Sequence, residues 1–520
     1  MFIGRSQIQK LRIAIIGAGL GGLAAALDLS RAGFEVLLFE RAEAAGGKLR
    51  EVSVGGQRMD AGPTVFTLRR VFDELFADAG ESLDRHLKLI PADLLARHAW
   101  GPGGYLDLFA DPGRSTEAIG NFAGSREARA FVRFITQAKR IYTTLENTFI
   151  RAARPSPVDL VRRVGIGGLA DLWNIQPFSN LWQSLEGHFD DARLRQLFAR
   201  YATYCGSSPF LAPATLMLVA HVEQSGVWYI EGGMHRLAVA LAQLAARHGA
   251  VMRYASEITQ ILVAKGRVCG VELSGKERIA VDAIVSNADT HALAGGLFGC
   301  DVTGSVRPTL TAERSLSALT WNLLARTEGF ALAHHSVFFN VDYRAEFEDI
   351  FRRRRLPAAP TIYICAQDRR DAHGVDSGRE ERLMCLVNAP PIGDTHSFDR
   401  AEIESCESRV FGLLEKFGLT IHRRSSATLA TSPSDFNRLF PATGGSLYGP
   451  ASHGWKASFK RTGSRSTLPG LYLAGGGTHP GPGLPMAATS GRLAAASIIA
   501  DHASIARCRT VAMRGGTSTR

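Results

Sequence analysis

Apolar and polar positions along the chain fall into distinct regimes. Residues 13–16 form an unbroken apolar run, short enough for a buried parallel strand, and glycines follow at once. An Ala- and Leu-rich stretch (Ala24, Ala25, Leu27, Leu29) then predicts a helix that Gly33 ends, and a second apolar run at 35–39 stops at Glu40. From about 71 to 222 the periodicity is helical, with aromatic residues Trp173, Phe178, Trp182, Phe189, Phe198, Tyr201 and Tyr204 gathered in it. The pattern changes at Ser225. A helix is predicted over 237–247 with Gly249 behind it, then a strand at 251–254, a hairpin of 258–263 with 268–273, and a strand at 283–285. Residues 315–323, 337–340, 361–365 and 382–387 read as strands of another sheet, and the chain closes with a strand at 471–474 and an Ala-rich helix over 486–499.

A chain of 520 residues exceeds what one core fills, since single cores stop growing at about 250–300 residues. The expected division is a discontinuous α/β domain from 10–70, 225–300 and 465–505, a mainly helical region at 71–224, a sheet-and-helix domain at 301–464, and a loose basic tail at 506–520.

The first turn carries the chemistry. Gly17, Gly19 and Gly22 give G-x-G-x-x-G between strand and helix, the pattern of a Rossmann-type dinucleotide fold. Gly17 permits the tight turn, Gly19 lets backbone approach a pyrophosphate, and Gly22 lets helix pack on strand, while the helix N-terminus offers free N–H groups. Glu40 stands where a carboxylate accepts from ribose hydroxyls and repels a 2′-phosphate, which disfavours NADP. Glycine turns also serve packing alone; the flanking strands and Glu40 favour the nucleotide. A second glycine turn, Gly46-Gly47-Lys48, and a third, Asp60-Ala61-Gly62-Pro63, follow. Near the C-terminus, Gly475-Gly476-Gly477-Thr478-His479-Pro480-Gly481 enters a helix near Met486, a further anion site. Two helix N-termini suit a flavin better than a nicotinamide, because reduced flavin carries negative charge on its pyrimidine edge. No cysteine lies in 470–483, so non-covalent binding is expected.

Charge and cysteines narrow the setting. A net charge of +11 allows nucleic acid, an anionic membrane surface or simple solubility; no compact basic helix with interleaved aromatics appears, so the membrane surface ranks above nucleic acid. Seven scattered cysteines without a C-x-x-C pair fit a reduced cytoplasmic protein without structural zinc. Residues 1–10 lack an apolar core for a signal peptide, and the apolar stretch 210–220 is about half a bilayer span. Membrane contact is therefore expected to be peripheral, at the inner or an intracytoplasmic membrane.

Together, the βαβ unit, Gly46-Gly47-Lys48, Asp60-Ala61-Gly62-Pro63, Gly232-Gly233-Met234, Ser286-Asn287-Ala288-Asp289 and the closing glycine loop resemble the bacterial phytoene desaturase family of FAD-dependent carotenoid desaturases. Tyr201-Ala202-Thr203-Tyr204-Cys205-Gly206-Ser207-Ser208-Pro209 and Pro482-Gly483-Leu484-Pro485-Met486-Ala487-Ala488 are most similar to the hydroxyneurosporene and methoxyneurosporene desaturases within it. The resemblance implies an amine-oxidase-like α/β architecture with a mixed-sheet substrate domain and a helical membrane-facing region. It also implies 3,4-desaturation of an acyclic 1-hydroxy or 1-methoxy carotenoid, by hydride transfer to FAD and loss of the neighbouring proton. Oxygen or a membrane quinone would take the electrons, and no nucleic acid is involved. By the same resemblance Glu40 would hold the ribose, Gly17, Gly19 and Gly22 the pyrophosphate, with Gly46, Gly47 and Lys48 beside the phosphates. Gly62 and Pro63 would face the isoalloxazine, Ile258 the adenine, and Gly475, Gly476 and Met486 the ribityl chain and pyrimidine edge. His235 and His479 are weak candidates for a base, each also readable as structural, and no metal is expected. Phytoene desaturation, another amine-oxidase-like oxidation and a flavin-free isoprenoid carrier are the alternatives; the intact glycines and Glu40 count against the carrier.

Overall fold

The computed structural model describes residues 10–102, 104–153, 156–165, 176, 178–369 and 379–514. Five parallel strands form the sheet around which the site is built: β1 (Arg12–Ile16), β2 (Glu35–Phe39), β3 (Val251–Arg253), β4 (Ala283–Ser286) and β5 (Leu471–Leu473), in the spatial order β3-β2-β1-β4-β5. Ile13 pairs with Val36 on one side and Ala283 on the other, so β1 is central and its apolar run is covered on both faces. The strands come from three distant parts of the chain. Strand order reverses at β1, so a crevice opens at the carboxyl ends of β1 and β4.

The helix following β1, α1 (Leu20–Arg31), is buried over residues 20–30 because it lies between this sheet and two other helices, Arg236–Arg247 and the closing helix Leu484–Arg514. Small residues make that contact possible. A Cβ on Gly491 would stand 2.0 Å from the Gly21 carbonyl oxygen, so the two helices meet backbone to backbone. Arg492 clamps the same seam by pairing with Asp28 at 3.1 Å.

The second sheet has eight strands, with Ser317–Gly329 and Glu381–Ala389 at its centre. It is mixed, because His335–Phe338 runs parallel to Leu94–Gly101 and antiparallel to Ile362–Ala366. This corrects the helical reading of 71–224, since Leu89–Pro91, Leu94–Gly101 and Gly104–Phe109 are strands. The physical reason is the covering of both faces: residues 94–99 are buried without a break, including Arg97, which pairs with Asp107 at 2.8 Å, and His98. Alternation, the usual strand signal, is erased there. Helices dominate from Pro112 onward. Helix Ser125–Leu145 packs Phe134 against Phe189 and Phe198 with ring centroids 5.4 and 4.6 Å apart. Of the aromatic set, Phe189, Phe198 and Tyr201 are therefore core, Phe178 is exposed, Tyr204 turns to the cavity described below, and Trp173 lies outside the described residues. The closing helix continues to Arg514, past the expected start of a tail at 506, and 515–520 lie outside the described residues. Among the described residues no helix is long and apolar enough to cross a membrane.

Candidate active site

The first glycine turn is fixed from both sides. Gly17 N–H donates to the Phe39 carbonyl at 2.7 Å, and Gly22 sits so close that a Cβ there would be 2.1 Å from the Gly17 oxygen. Glu40, at the end of β2, accepts from Ala18 N–H through Oε2 at 2.7 Å and from Ala42 N–H through Oε1 at 2.9 Å. Its carboxylate thus ties the end of β2 to the turn. Helix α1 has no side-chain cap, and Gly19 and Gly21 at its start open on a cavity, so its first N–H groups face that space. Side chains at Gly19 would strike Asn287, whose Nδ2 would lie 2.6 Å from the added carbon.

The second turn lies on the first. Gly46 N–H donates to the Ala18 carbonyl at 2.9 Å, and a Cβ on Gly47 would be 3.2 Å from the Gly19 Cα. Lys48 reaches across and donates from Nζ to the Leu447 carbonyl at 2.6 Å; burial lowers its pKa, with Asp289 opposing. Asp289 is itself held well below the usual carboxylate range: burial works the other way, but the His291 hydrogen bond and the charges of His291 and Lys48 outweigh it. The third turn is equally tight, since a Cβ on Gly62 would meet the Lys48 carbonyl at 2.0 Å. Asp60 accepts from the Met234 and His235 N–H groups at 2.7 and 3.1 Å, which joins the Gly232-Gly233-Met234 passage to this turn; burial raises its pKa.

Both candidate histidines face away from the open space. His235 Nε2 donates to the Ala45 carbonyl at 2.7 Å and braces the second turn. His479 is buried edge-on to Phe149, centroids 5.1 Å apart, and burial pushes its pKa down to about 4. In the closing loop, Gly475 N–H donates to Ser490 Oγ at 2.7 Å, anchoring it on the closing helix.

One continuous cavity of about 760 Å³ connects these parts. Glu40 and Ile258 line one end; Gly17, Gly19, Gly46, Gly47 and Lys48 follow; Gly62, Pro63, Gly475, Gly476 and Met486 line the middle. The structure thus brings every expected cofactor residue except Gly22 to its wall, and leaves His235 and His479 off it. Beyond Pro63 the cavity becomes an apolar arm past Leu145, Leu216, Val219, Val222 and Leu386. Asn287 and Arg461 also line it and were not singled out as site residues. Arg461 donates to the Tyr448, Pro450 and Gly476 carbonyls, holding the closing loop, but its sequence surroundings carry no motif.

The family described as flavin containing amine oxidoreductase matches residues 20–499. The chain belongs to this family. It is 54% identical over 514 residues to hydroxyneurosporene desaturase of Rubrivivax gelatinosus, covering 99% of this chain and 98% of that one. It is 46% identical over 499 residues to hydroxyneurosporene desaturase of Cereibacter sphaeroides (95% and 99%), and 30% identical over 493 residues to 4,4'-diapolycopene oxygenase of a Methylomonas species (94% and 98%). Among solved structures, an oxidoreductase from Methanosarcina mazei superposes with a TM-score of 0.59 at 16% identity (93% and 99%). Putrescine oxidase bound to putrescine gives 0.57 at 14% (94% and 99%); both show the fold alone. As a flavin containing amine oxidoreductase, the protein is an oxidoreductase with a flavin cofactor. The site fits that group. Its glycine turns pack so closely on one another and on Asn287 that bare backbone forms the cavity wall, and an uncapped helix N-terminus faces it.

Proposed function

We propose that this protein is an FAD-dependent desaturase that introduces a C=C bond at the 3,4 position of an acyclic 1-hydroxy or 1-methoxy carotenoid, such as hydroxyneurosporene. The observation that carries the reading is full-length identity of 54% with a hydroxyneurosporene desaturase. An apolar arm joined to a glycine-walled nucleotide cleft supports it.

Glu40 would hold the ribose and Ile258 the adenine. Gly17 and Gly19, with the α1 N-terminus, would take the pyrophosphate, Gly22 keeping that helix close, and Gly46, Gly47 and Lys48 would flank it. Gly62, Pro63, Gly475, Gly476 and Met486 would enclose the flavin ring and its ribityl chain. When bound, the flavin supplies a two-electron acceptor for hydride removed from the allylic carbon. The chain's own work is positioning a long apolar substrate and excluding water, worth several orders of magnitude in rate. No single acid-base residue is essential on this reading, because the rings of His235 and His479 are both engaged or buried away from the cavity. Attachment is non-covalent: the cysteine on the described cavity wall is Cys205, whose thiol burial raises to about 11.

Phe178, Leu211 and Trp455 are 66%, 51% and 40% exposed, and Lys456 lies over the Trp455 ring at 5.1 Å. This aromatic and basic patch sits close to Ser458 on the cavity wall, which supports loading from a membrane surface, with oxygen or a quinone as electron acceptor. The test is pigment analysis of cells making neurosporene, its hydroxylated derivative and phytoene, with and without the protein. Loss of two hydrogens from the hydroxylated pigment is expected; conversion of phytoene alone would overturn the substrate assignment.

A further inference from the structure

The apolar arm contains a buried polar cluster that a hydrocarbon does not need. Arg200, at the end of helix Ala192–Ala199, donates from Nη1 to Tyr204 OH at 3.2 Å. Tyr204 OH donates to Glu223 Oε1 at 2.9 Å, and Tyr201 OH to Oε2 at 2.5 Å. The guanidinium also lies over the Tyr204 and Tyr363 rings, 5.1 and 5.6 Å from their centroids. Arg200, Tyr204, Glu223 and Tyr363 all line the cavity beside Leu218 and Val222. Within the described chain Arg200 uses one N–H, leaving its other donors toward the open space. Burial works against its charge, but Tyr204 and Glu223 outweigh that and hold the arginine protonated.

Such a group is costly in an apolar wall unless an incoming partner satisfies it. A 1-hydroxy carotenoid has a single polar atom to offer. That atom is bonded to C1, three bonds and about 3–4 Å from C3, so a group that reads it must flank the reacting bond. The cluster meets this condition through Tyr363, whose OH shares hydrogen bonds of 2.7 Å with Thr64 Oγ1 and with His335 Nδ1; Thr64 directly follows the Gly62-Pro63 turn.

Resting on the desaturase reading above, we infer that Arg200, positioned by Tyr204 and Glu223, binds the C1 oxygen of the substrate and selects oxygenated over hydrocarbon carotenoids. An unsubstituted chain end would leave these donors desolvated and unpaired, the situation in which sites discriminate most strongly.

The experiment measures kcat/KM for a 1-hydroxy acyclic carotenoid and for the same hydrocarbon without the hydroxyl, in wild type, Arg200→Gln and Tyr204→Phe, with flavin content recorded. Wild type should prefer the hydroxylated pigment, and Arg200→Gln should shrink that preference by about tenfold to a hundredfold, the value of one hydrogen bond to a charged donor. Tyr204→Phe, which removes one oxygen, should shrink it in the same direction should the arginine variant fail to fold. Equal losses on both pigments, loss of flavin in both variants, or a wild type without preference would overturn the inference while leaving the desaturase reading intact. A wild type inactive on both pigments would overturn both.

Discussion

Replacing Glu40 by Gln tests the nucleotide end most sharply, because the change preserves shape and alters two hydrogen bonds. Each carboxylate oxygen accepts one backbone N–H, from Ala18 at 2.7 Å and Ala42 at 2.9 Å. An amide offers one acceptor; whichever way it turns, its NH₂ faces an N–H donor. One charge-assisted bond is lost, worth about 1.5–3 kcal/mol, and one of the two backbone donors, Ala18 or Ala42 N–H, is left without its acceptor beside the turn that Gly17 and Gly19 shape. Since about 1.4 kcal/mol is tenfold in affinity, the dissociation constant for FAD should rise roughly tenfold to 150-fold where that loss is felt in the bound state. The assay is titration of flavin-stripped protein with FAD, followed by quenching of flavin fluorescence, alongside Tm with and without saturating FAD. The FAD-induced rise in Tm should shrink in step with affinity. Glu40→Arg, which places a cation against two N–H donors, should purify without flavin colour. A Glu40→Gln protein that binds FAD within threefold of wild type with unchanged Tm would refute the role assigned to this carboxylate.

Other consequences concern packing, the histidines and pH. Gly491→Ala puts a carbon 2.0 Å from the Gly21 oxygen, with no flexible atom to yield, and should cost about 1–3 kcal/mol of stability; an unchanged Tm in a slow thermal scan would contradict the close helix contact. His235→Ala and His479→Ala should each keep turnover within about a thousandfold of wild type while flavin is retained, and a larger loss in either would identify an essential acid or base. Burial drives His98 down to about 3 and His334, His453 and His479 down to about 4. Unfolded imidazoles titrate at about 6.5, so the unfolded state binds more protons between the two values. The stability these groups contribute is present above pH of about 6.5 and is lost as the pH falls toward about 4. His453 shows why: its Nε2 accepts from Ser208 N–H at 3.0 Å and must stay unprotonated to do so. His453→Gln should flatten the fall in Tm over that window by about one proton, and an unchanged slope would count against the assignment.

The parts legible in the sequence share a physical cause. Gly17, Gly22, Gly47 and Gly62 are positions where a Cβ would strike a backbone atom or require an unfavourable φ, so the residue type itself announces the close approach. The five-stranded sheet was legible for a related reason, since β1 and β4 are covered on both faces and read as apolar runs. The strands at 94–109 were not, because Arg97 and His98 are buried with their partners and break the apolar run without restoring alternation.

The same contrast separates the two ends of the cavity. A dinucleotide is gripped largely by backbone N–H groups and helix ends, and backbone can come close only at glycine, so its binding site leaves a one-dimensional trace. The arm beyond Pro63 is shaped by side chains that arrive from separate elements: Thr64, Arg200, Glu223 and Tyr363 lie on a turn, a helix end, a second helix and a strand, spread over some three hundred positions of sequence. No spacing along the chain links these four residues to one another. Only the fold shows that they face one another across an apolar space. Cofactor identity was therefore recoverable from spacing, whereas the atoms that choose between an oxygenated and a plain carotenoid are set by side-chain convergence in three dimensions.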